Sequence, residues 1–222
     1  RNTRLLLGGA GIGSNIAECA LRFGFERITI IDGDRVELSN LNRQNYQKSD
    51  IGKYKAQSLA ERLLKINPDA DIKFHCEYIS EDNIARLVDN CDIAINALDF
   101  RNDVPLKFDE RCRAMGVSIL HPYNFGWGGL LMIVTPDSLP ISSIMKNSNL
   151  EGFELEMAKY VSGYSQFWNL PENNWLHPVV EDYSANKENM VVPQLSIGSW
   201  IVGAMSVNAM FRLLTGKPVK RC

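Results

Sequence analysis

The chain has 222 residues, of which 45% are hydrophobic and 23% are charged, a composition typical of a water-soluble globular domain. Its formal net charge is −2 and its lysines and arginines are dispersed, so no basic surface for a nucleic acid or an anionic membrane is indicated. We expect one domain over residues 1–222 and no nucleic-acid partner, because a chain of this length buries one sizeable core.

Cysteine usage indicates a reducing compartment. No C-x-x-C pair occurs among the five cysteines, which are Cys19, Cys76, Cys91, Cys112 and Cys222. Cysteines inside predicted helices and strands, without metal-ligand spacing, favour free thiols over disulfides or a zinc cage. No secretory signal is visible, and we expect a cytoplasmic protein.

The N-terminal residues predict a β-α-β unit. An apolar run at residues 4–8 predicts a strand, helical spacing over residues 12–24 predicts a helix, and a β-branched run at residues 27–32 predicts a second strand. Strands joined by a crossover helix are parallel.

Alternating helices and strands continue through the middle of the chain. Apolar periodicity predicts helices over residues 51–66, 81–88 and 102–115, the second of them with Ser80 as its N-cap, and strands over residues 71–76, 91–97 and 117–121. This alternation predicts an α/β fold with a Rossmann-like doubly wound sheet and helices on both faces. Residues 129–135 predict a further strand with no helix before it, so the sheet is expected to be mixed, mostly parallel with an antiparallel extension.

The last third of the chain breaks this pattern. Residues 147–188 are polar and aromatic with weak periodicity, which predicts an insertion or lid segment rather than a second domain. A helix is predicted over residues 195–215. Residues 189–211 carry no charge, but a proline and several polar residues interrupt this stretch, so we expect a core or interface helix and no membrane span. Its apolar surface exceeds what one core face needs and predicts a homodimer, with Trp200, Ile201, Met205 and Met210 as the residues concerned.

A glycine-rich turn joins the first strand to the first helix. Gly8, Gly11 and Gly13 lie where backbone can approach a nucleotide phosphate at a helix N-terminus. Strict G-x-G-x-x-G spacing places Ala10 at the second position, where a methyl group weakens the dinucleotide fingerprint. Asp32, at the end of the second strand, is suited to bind ribose hydroxyls. These residues alone leave open a tight turn without ligand and an NAD(P)-dependent oxidoreductase.

The residues that follow carry a more specific motif. Residues 32–44 read D-G-D-R-V-E-L-S-N-L-N-R-Q, which closely resembles the D-x-D-x-V-x-x-S-N-L-x-R-Q block of the ThiF/MoeB/HesA family of adenylating domains, related to ubiquitin-activating enzymes. The resemblance continues in the G-x-x-K pattern of residues 52–55, the A-L-D of residues 97–99 and the closing helix with its G-K-P end, residues 193–218. It covers most of the chain except residues 147–188.

The resemblance implies an activity. Members of this family use ATP to adenylate a carboxylate, giving an acyl adenylate and pyrophosphate. The acceptor would be the C-terminus of a ubiquitin-like protein, a peptide or a small carboxylate.

Site residues follow from the same motifs. The resemblance implies that Asp32 holds the ribose of ATP, that Asn40 and Arg43 bind its phosphates, and that Gln44 fixes the loop or the nucleotide. It further implies that Lys55 stabilises charge on the phosphoryl oxygens and that Asp99 binds Mg²⁺. Taken singly, Arg43 and Lys55 could be surface charges and Asp99 a helix cap.

Departures from the family pattern leave alternatives open. Relatives carry two C-x-x-C pairs, but Leu-Pro-Ile-Ser-Ser stands at residues 139–143, where the first is expected, so we expect no zinc site. No cysteine occurs between Cys112 and Cys222, so a thioester step is not supported. Phe100 replaces the usual asparagine after Asp99. A catalytically degenerate partner subunit is therefore the main alternative; an NAD(P) oxidoreductase leaves the lysine, arginine and aspartate unexplained.

Overall fold

A six-stranded β-sheet organises the part of the chain that the computed structural model describes, namely residues 1–144, 153–171, 174–185 and 194–219. The strand order is β3-β2-β1-β4-β5-β6. Neighbouring strands are parallel from β3 to β5, and β6 is antiparallel to β5. The strands are β1 (Arg4–Gly8), β2 (Arg27–Ile31), β3 (Asp71–His75), β4 (Ile93–Asn96), β5 (Ser118–Asn124) and β6 (Gly129–Val134). The predicted fold class, a mixed doubly wound sheet with an antiparallel extension, is confirmed.

Helices cover both faces of this sheet. They are α1 (Gly13–Phe23), α2 (Lys55–Ile66), α3 (Ile84–Leu87), α4 (Val104–Ala114), α5 (Phe153–Phe167), α6 (Leu176–Ala185) and α7 (Ser196–Leu214). Successive residues of a strand face opposite sides, so Leu5 and Leu7 join a first core with residues of α1, α2 and α7, whereas Leu6 joins a second core with residues of α4. Burial on both faces accounts for the uninterrupted apolar run of β1.

The last helix packs against the first. Val207 and Met210 of α7 share a core with Ile16 of α1, and the rings of Phe23 and Phe211 meet edge to face with centroids 5.5 Å apart. By length and composition α7 could cross a membrane, as no other described helix could. Its contacts with α1, β5 and β6 are those of the core helix predicted from the sequence.

The segment predicted as an insertion contains two helices that pack against each other, α5 and α6. Phe153 and Met157 of α5 enter the second core, and the Phe153 ring lies 4.3 Å from that of Phe100 between centroids. Ala158, Leu176 and Val180 form a smaller cluster that Phe125 also contacts. The single-domain organisation stays a prediction.

Two predicted helix starts are wrong. The helix predicted over residues 81–88 with Ser80 as N-cap spans only Ile84–Leu87, with Asn83 at the N-cap position. The Asn83 side-chain oxygen accepts the Ser80 N–H at 2.8 Å, which holds the preceding residues in a turn.

The helix predicted from residue 51 begins at Lys55. Gly52 has a φ of +85°, and its N–H donates to the Val36 carbonyl, so this segment pairs with the loop after β2 instead of continuing the helix. The Lys55 N–H donates to the Asp34 carbonyl at 2.9 Å, which brings the predicted lysine beside that loop.

Candidate active site

The predicted site residues surround the carboxyl ends of β1, β2 and β4. Gly8 at the end of β1 is in register with Ile31 of β2 and with Asn96 of β4. The chain passes from β1 to β2 and β3 on one side and returns to β4 on the other. This is the topological switch point at which ligands bind in open α/β sheets.

The three predicted glycines lie in one turn, but a fourth has the special backbone. Gly9 has a φ of +92°, and a Cβ there would lie 2.4 Å from the Ala97 carbonyl oxygen. A Cβ at Gly8 would collide with Phe108, and a Cβ at Gly13 with Leu7. Close packing against these side chains therefore explains why both positions are glycine. Gly9 adjoins the predicted glycines but was not among them.

Ala10 faces the protein interior. It is fully buried in the first core, its N–H donates to Asp32 Oδ2 at 2.6 Å, and its carbonyl accepts the Tyr46 hydroxyl at 2.7 Å. The methyl group that departs from the dinucleotide pattern is therefore a core contact and does not line the open side of the turn.

Both carboxylate oxygens of Asp32 accept backbone N–H groups. Oδ2 accepts from Ala10 and Oδ1 from Asp34, at 2.7 Å. Burial raises the pKa of Asp32, and these hydrogen bonds together with the nearby Lys55 charge oppose that rise. The carboxylate is thus fixed in orientation at the end of β2, where each oxygen retains a lone pair for a ligand hydroxyl.

Lys55 is a buried cation held by a carboxylate. Its side chain is 9% exposed, and its Nζ donates to Asp34 Oδ2 at 2.9 Å. The Tyr78 hydroxyl donates to Asp34 Oδ1 at 2.7 Å. Partial burial raises the pKa of Asp34, but the hydrogen bonds from Lys55 and Tyr78 outweigh that effect and leave the pKa below its usual range. Asp34 stood in the recognised motif without an assigned role, and nothing in the sequence pointed to Tyr78.

Asn40 and Gln44 shape the loop that follows β2. Asn40 Oδ1 accepts the Glu37 N–H at 3.0 Å, and its backbone carbonyl accepts the N–H of Gln44 at 2.9 Å. Gln44 packs over the glycine turn, with its Nε2 3.3 Å from the position that a Cβ on Gly11 would occupy. Its buried Oε1 has no hydrogen-bond partner among the described residues. Gln44 therefore lies against the glycine turn, whereas the observed hydrogen bonds of Asn40 stabilise its own loop.

Arg43 is half-buried between this loop and Gln194, which lies just before α7. Its Nε donates to Gln194 Oε1 at 2.6 Å, and its Nη1 donates to the Ser39 carbonyl at 2.8 Å and to Asn42 Oδ1 at 2.9 Å. Burial lowers the pKa of Arg43, and the charge of Asp99 opposes that decrease. No pattern in the sequence predicted the contact of Arg43 with Gln194.

Asp99 follows β4 and is open to solvent. Its side chain is 67% exposed, and Oδ2 lies 3.4 Å from Arg101 Nη2. The described residues contain no group of three or more His, Cys, Asp or Glu side chains that could hold a metal ion by themselves. Asp99 is thus a single accessible carboxylate that pairs with Arg101 and whose charge also acts on Arg43.

Together these residues form an arrangement whose chemistry suits a polyanion joined to a sugar. Two cations, Arg43 and Lys55, lie near a glycine turn with a helix N-terminus behind it, and the Asp32 carboxylate lies beside them. Such a site can bind a ribose and its phosphates and stabilise negative charge on the phosphates.

Comparison with known sequences identifies relatives of this chain. A sequence model of the ThiF family matches residues 1–221. The sulfur carrier protein ThiS adenylyltransferase of Bacillus subtilis (strain 168) is 31% identical over 139 residues, which cover 61% of this chain and 41% of that protein. Ubiquitin-like modifier-activating enzyme 5 of Caenorhabditis elegans is 33% identical over 96 residues, 43% of this chain and 22% of the relative. The tRNA threonylcarbamoyladenosine dehydratase of Escherichia coli (strain K12) is 38% identical over 82 residues, 36% and 31% of the two chains. The chain spans less than half the length of each of these relatives.

Solved structures share the fold. The crystal structure of E. coli MccB with AMPCPP and MccA superposes with a TM-score of 0.71 at 15% identity, covering 98% of this chain and 58% of that one. The crystal structure of PaaA superposes with a TM-score of 0.68 at 20% identity, covering 98% and 66%. At these identities the likeness establishes the fold.

Proposed function

Because the chain belongs to the ThiF family, we propose that it activates a carboxylate with ATP, forming an acyl adenylate and releasing pyrophosphate. The observation that carries the proposal is the placement of Asp32, Arg43 and Lys55 around one glycine turn at the switch point of the sheet. The names of the relatives support it, since the B. subtilis protein is an adenylyltransferase and the nematode protein activates a ubiquitin-like modifier.

The reaction brings one anion to another. An oxygen of the acceptor carboxylate attacks the α-phosphorus of ATP, and the bond from that phosphorus to the oxygen bridging the β-phosphate breaks. Asp32 orients the ribose, Arg43 binds phosphate oxygens through its planar guanidinium, and Lys55 supplies a compact positive charge. Asp34 and Tyr78 keep the Lys55 ammonium at the site through the hydrogen bonds described above.

A magnesium ion fits the accessible carboxylate of Asp99. Mg²⁺ is commonly held by one or two carboxylates, with substrate phosphates and water completing its coordination, so a single exposed aspartate is a sufficient protein ligand. When bound, the ion would neutralise charge on the departing pyrophosphate.

The acceptor is proposed to be the carboxylate of a ubiquitin-like protein or a peptide. The ThiS adenylyltransferases, by their name, act on a sulfur carrier protein, and the MccB structure holds MccA. The net charge of −2 with dispersed cations argues against a tRNA substrate such as the E. coli dehydratase acts on. A small-molecule carboxylate is the remaining acceptor class.

A second copy of the chain is the proposed partner of α7. Its solvent-facing side carries four exposed apolar residues at helical spacing, Ile197, Trp200, Ile201 and Met205. In a two-fold dimer the same residues of a second copy would cover this face. The prediction of Met210 as part of this face is wrong, because Met210 is buried in the core shared with α1. We further propose a cytoplasmic location, because the thiols Cys19, Cys76, Cys91 and Cys112 are free; Cys222 lies outside the described residues.

Isotope exchange between pyrophosphate and ATP tests the activity. We expect exchange that requires a carboxylate acceptor and is lost in Asp99→Ala. ATP binding without exchange, across ubiquitin-like proteins, peptides and small carboxylates, would contradict adenylation and support a degenerate partner subunit. Stabilisation against heat by NAD but not by ATP would instead support an oxidoreductase.

A further inference from the structure

Arg43 is held from two directions. On its own loop, the Ser39 carbonyl and the Asn42 side chain accept hydrogen bonds from Nη1. From the far end of the sequence, 151 residues away, Gln194 Oε1 accepts the hydrogen bond from Nε at 2.6 Å. Bonds to two different nitrogens of a planar group determine the orientation of its plane.

All three acceptors are neutral. A carbonyl and two side-chain amides satisfy donors of the guanidinium without cancelling its charge. The contacts with described residues use Nε and Nη1, so Nη2 is available to an anion. An arginine held in this manner is oriented without forming an ion pair with its three acceptors, whereas a carboxylate in place of Gln194 would offset part of its charge.

Gln194 is itself held by the sheet. It directly precedes Leu195, the N-cap residue of α7, whose carbonyl accepts a hydrogen bond from Asn124 Nδ2 at 2.9 Å. Asn124 is the last residue of β5, and its Nδ2 also donates to Ser199 Oγ at 2.8 Å. The start of α7 is therefore connected to the carboxyl edge of the sheet, beside the candidate site.

We propose that Gln194 is a positioning residue, which orients the Arg43 guanidinium so that Nη2 meets the phosphates of ATP. This inference rests on the proposed function, because it assumes that ATP is the ligand of Arg43. It predicts a loss of phosphate recognition when the amide oxygen is removed. The opposite role, in which Gln194 competes with phosphate for Arg43, predicts a gain.

Calorimetric titration with ATP and with adenosine tests the inference. Gln194→Met keeps the length of the side chain but removes the acceptor, and we expect it to bind ATP about tenfold more weakly, the effect of one charge-assisted hydrogen bond. Adenosine affinity should not change, because adenosine has no phosphate for Arg43 to bind. Gln194→Ala is a second variant with the same expectation, and Gln166→Met on the exposed side of α5 is the matched control.

A double-mutant cycle separates positioning from a general loss of structure. If Gln194 acts through Arg43, Arg43→Met with Gln194→Met should bind ATP no more weakly than Arg43→Met alone. Additive losses, unchanged or tighter ATP binding by both Gln194 variants, or an equal loss for adenosine would overturn the inference. Failure of the wild type to bind ATP would overturn the proposed function as well, and the wild-type titration alone shows which of the two has failed.

Discussion

Lys55 is the side chain on which we expect turnover to depend most. Lys55→Met keeps the side-chain length and removes the charge that the proposed function assigns to the reacting phosphate. We expect exchange between pyrophosphate and ATP to fall at least about 100-fold, the usual effect of losing one preorganised electrostatic contact.

Lys53→Met is the matched control for this prediction. Lys53 is exposed and its Nζ lies 3.7 Å from Asp50 Oδ1, a surface pair of little energetic weight. Equal losses in the two variants, or no loss in Lys55→Met, would remove Lys55 from the mechanism.

Gly9 should be the least replaceable glycine of the turn. Gly9→Ala combines a φ of +92° with a Cβ position 2.4 Å from the Ala97 carbonyl oxygen, so we expect a loss of about 2–4 kcal/mol in the free energy of unfolding. Gly52→Ala has a similar φ of +85° but no atom within 4 Å of the new Cβ. Urea unfolding should give a smaller loss of about 1 kcal/mol for that control, and equal losses would mean that the contact with Ala97 has no cost.

At the residue scale the motif predicted more of the site than the glycine pattern did. Of the residues it named, Asp32 and Gln44 lie against the glycine turn and Arg43 adjoins Gln44, while their roles in nucleotide binding stay a prediction. Tyr78 and Gln194 were missed because their partners, Asp34 and Arg43, are distant in sequence and no periodicity marks such contacts. Gly9 was missed because the family spacing does not state which glycine adopts a positive φ.

Glu18 connects α1 to its neighbours at the element scale. Arg62 of α2 donates to its Oε2 at 2.6 Å, Arg22 of α1 donates to its Oε1 at 2.9 Å, and Asn45 also bonds to Oε2. Burial raises the pKa of Glu18, but the three hydrogen bonds lower it by more. The pKa of Glu18 in the folded chain is therefore below its ordinary value.

Stability should therefore depend on pH through Glu18. A lowered pKa in the folded state stabilises the fold above the unfolded value of about 4.3, and this stabilisation is lost as the pH falls through the folded value. We expect Glu18→Gln to cost about 1–3 kcal/mol at neutral pH and less at about pH 4. Urea unfolding at both pH values measures this; Glu61→Gln, on the exposed face of α2, should show little effect. A difference that does not decrease in acid would contradict the ionic origin.

Phe100, at the position where the family pattern has asparagine, is part of the second core. It is 7% exposed and packs on Phe153 of α5, so Phe100→Asn places an amide among apolar side chains. We expect a loss of about 3–5 kcal/mol in unfolding free energy, measured by chemical denaturation. Phe167→Asn, at a position 79% exposed, should cost little. A stable Phe100→Asn variant would show that the α5 contact is dispensable.

Strong periodicity predicted the elements of the sheet well, and weak periodicity did not. The strands with continuous apolar runs and the helices α1, α4 and α7 lie within a few residues of their predicted ranges. The helices α5 and α6 were not recognised, because their buried residues contact Phe100 and Phe125 from the body of the fold and a single helical stripe does not emerge.

At the scale of the whole molecule, the exposed face of α7 predicts self-association. Ile201→Glu with Met205→Glu places two charges in that face, and we expect a shift from dimer to monomer by analytical ultracentrifugation with an unchanged thermal midpoint of the monomer. Leu214→Glu, at the exposed end of the same helix, should leave the dimer intact. A monomeric wild type at all concentrations would contradict the proposal.

The overall topology followed from the alternation of helices and strands, since right-handed crossovers and parallel pairing leave few arrangements of the sheet. The candidate site lies at the switch point of the sheet, where such sheets bind ligands, and its use stays a prediction. The contact of Gln194, two residues before α7, with Arg43 did not follow, since helix prediction does not show where the residues before a helix point.

The packing of α7 on α1 also affects the order in which the chain can fold as it is synthesised. α1 is complete at Phe23, but the surface that it shares with α7 cannot be covered until the ribosome has passed Leu214. At about 5–20 residues per second this interval is roughly 10–40 s, during which Ile16 and Ala20 lack their final neighbours. The nascent β-α-β unit is therefore incompletely covered during this interval, and the contact between Arg43 and Gln194 can form only after residue 194 has been synthesised.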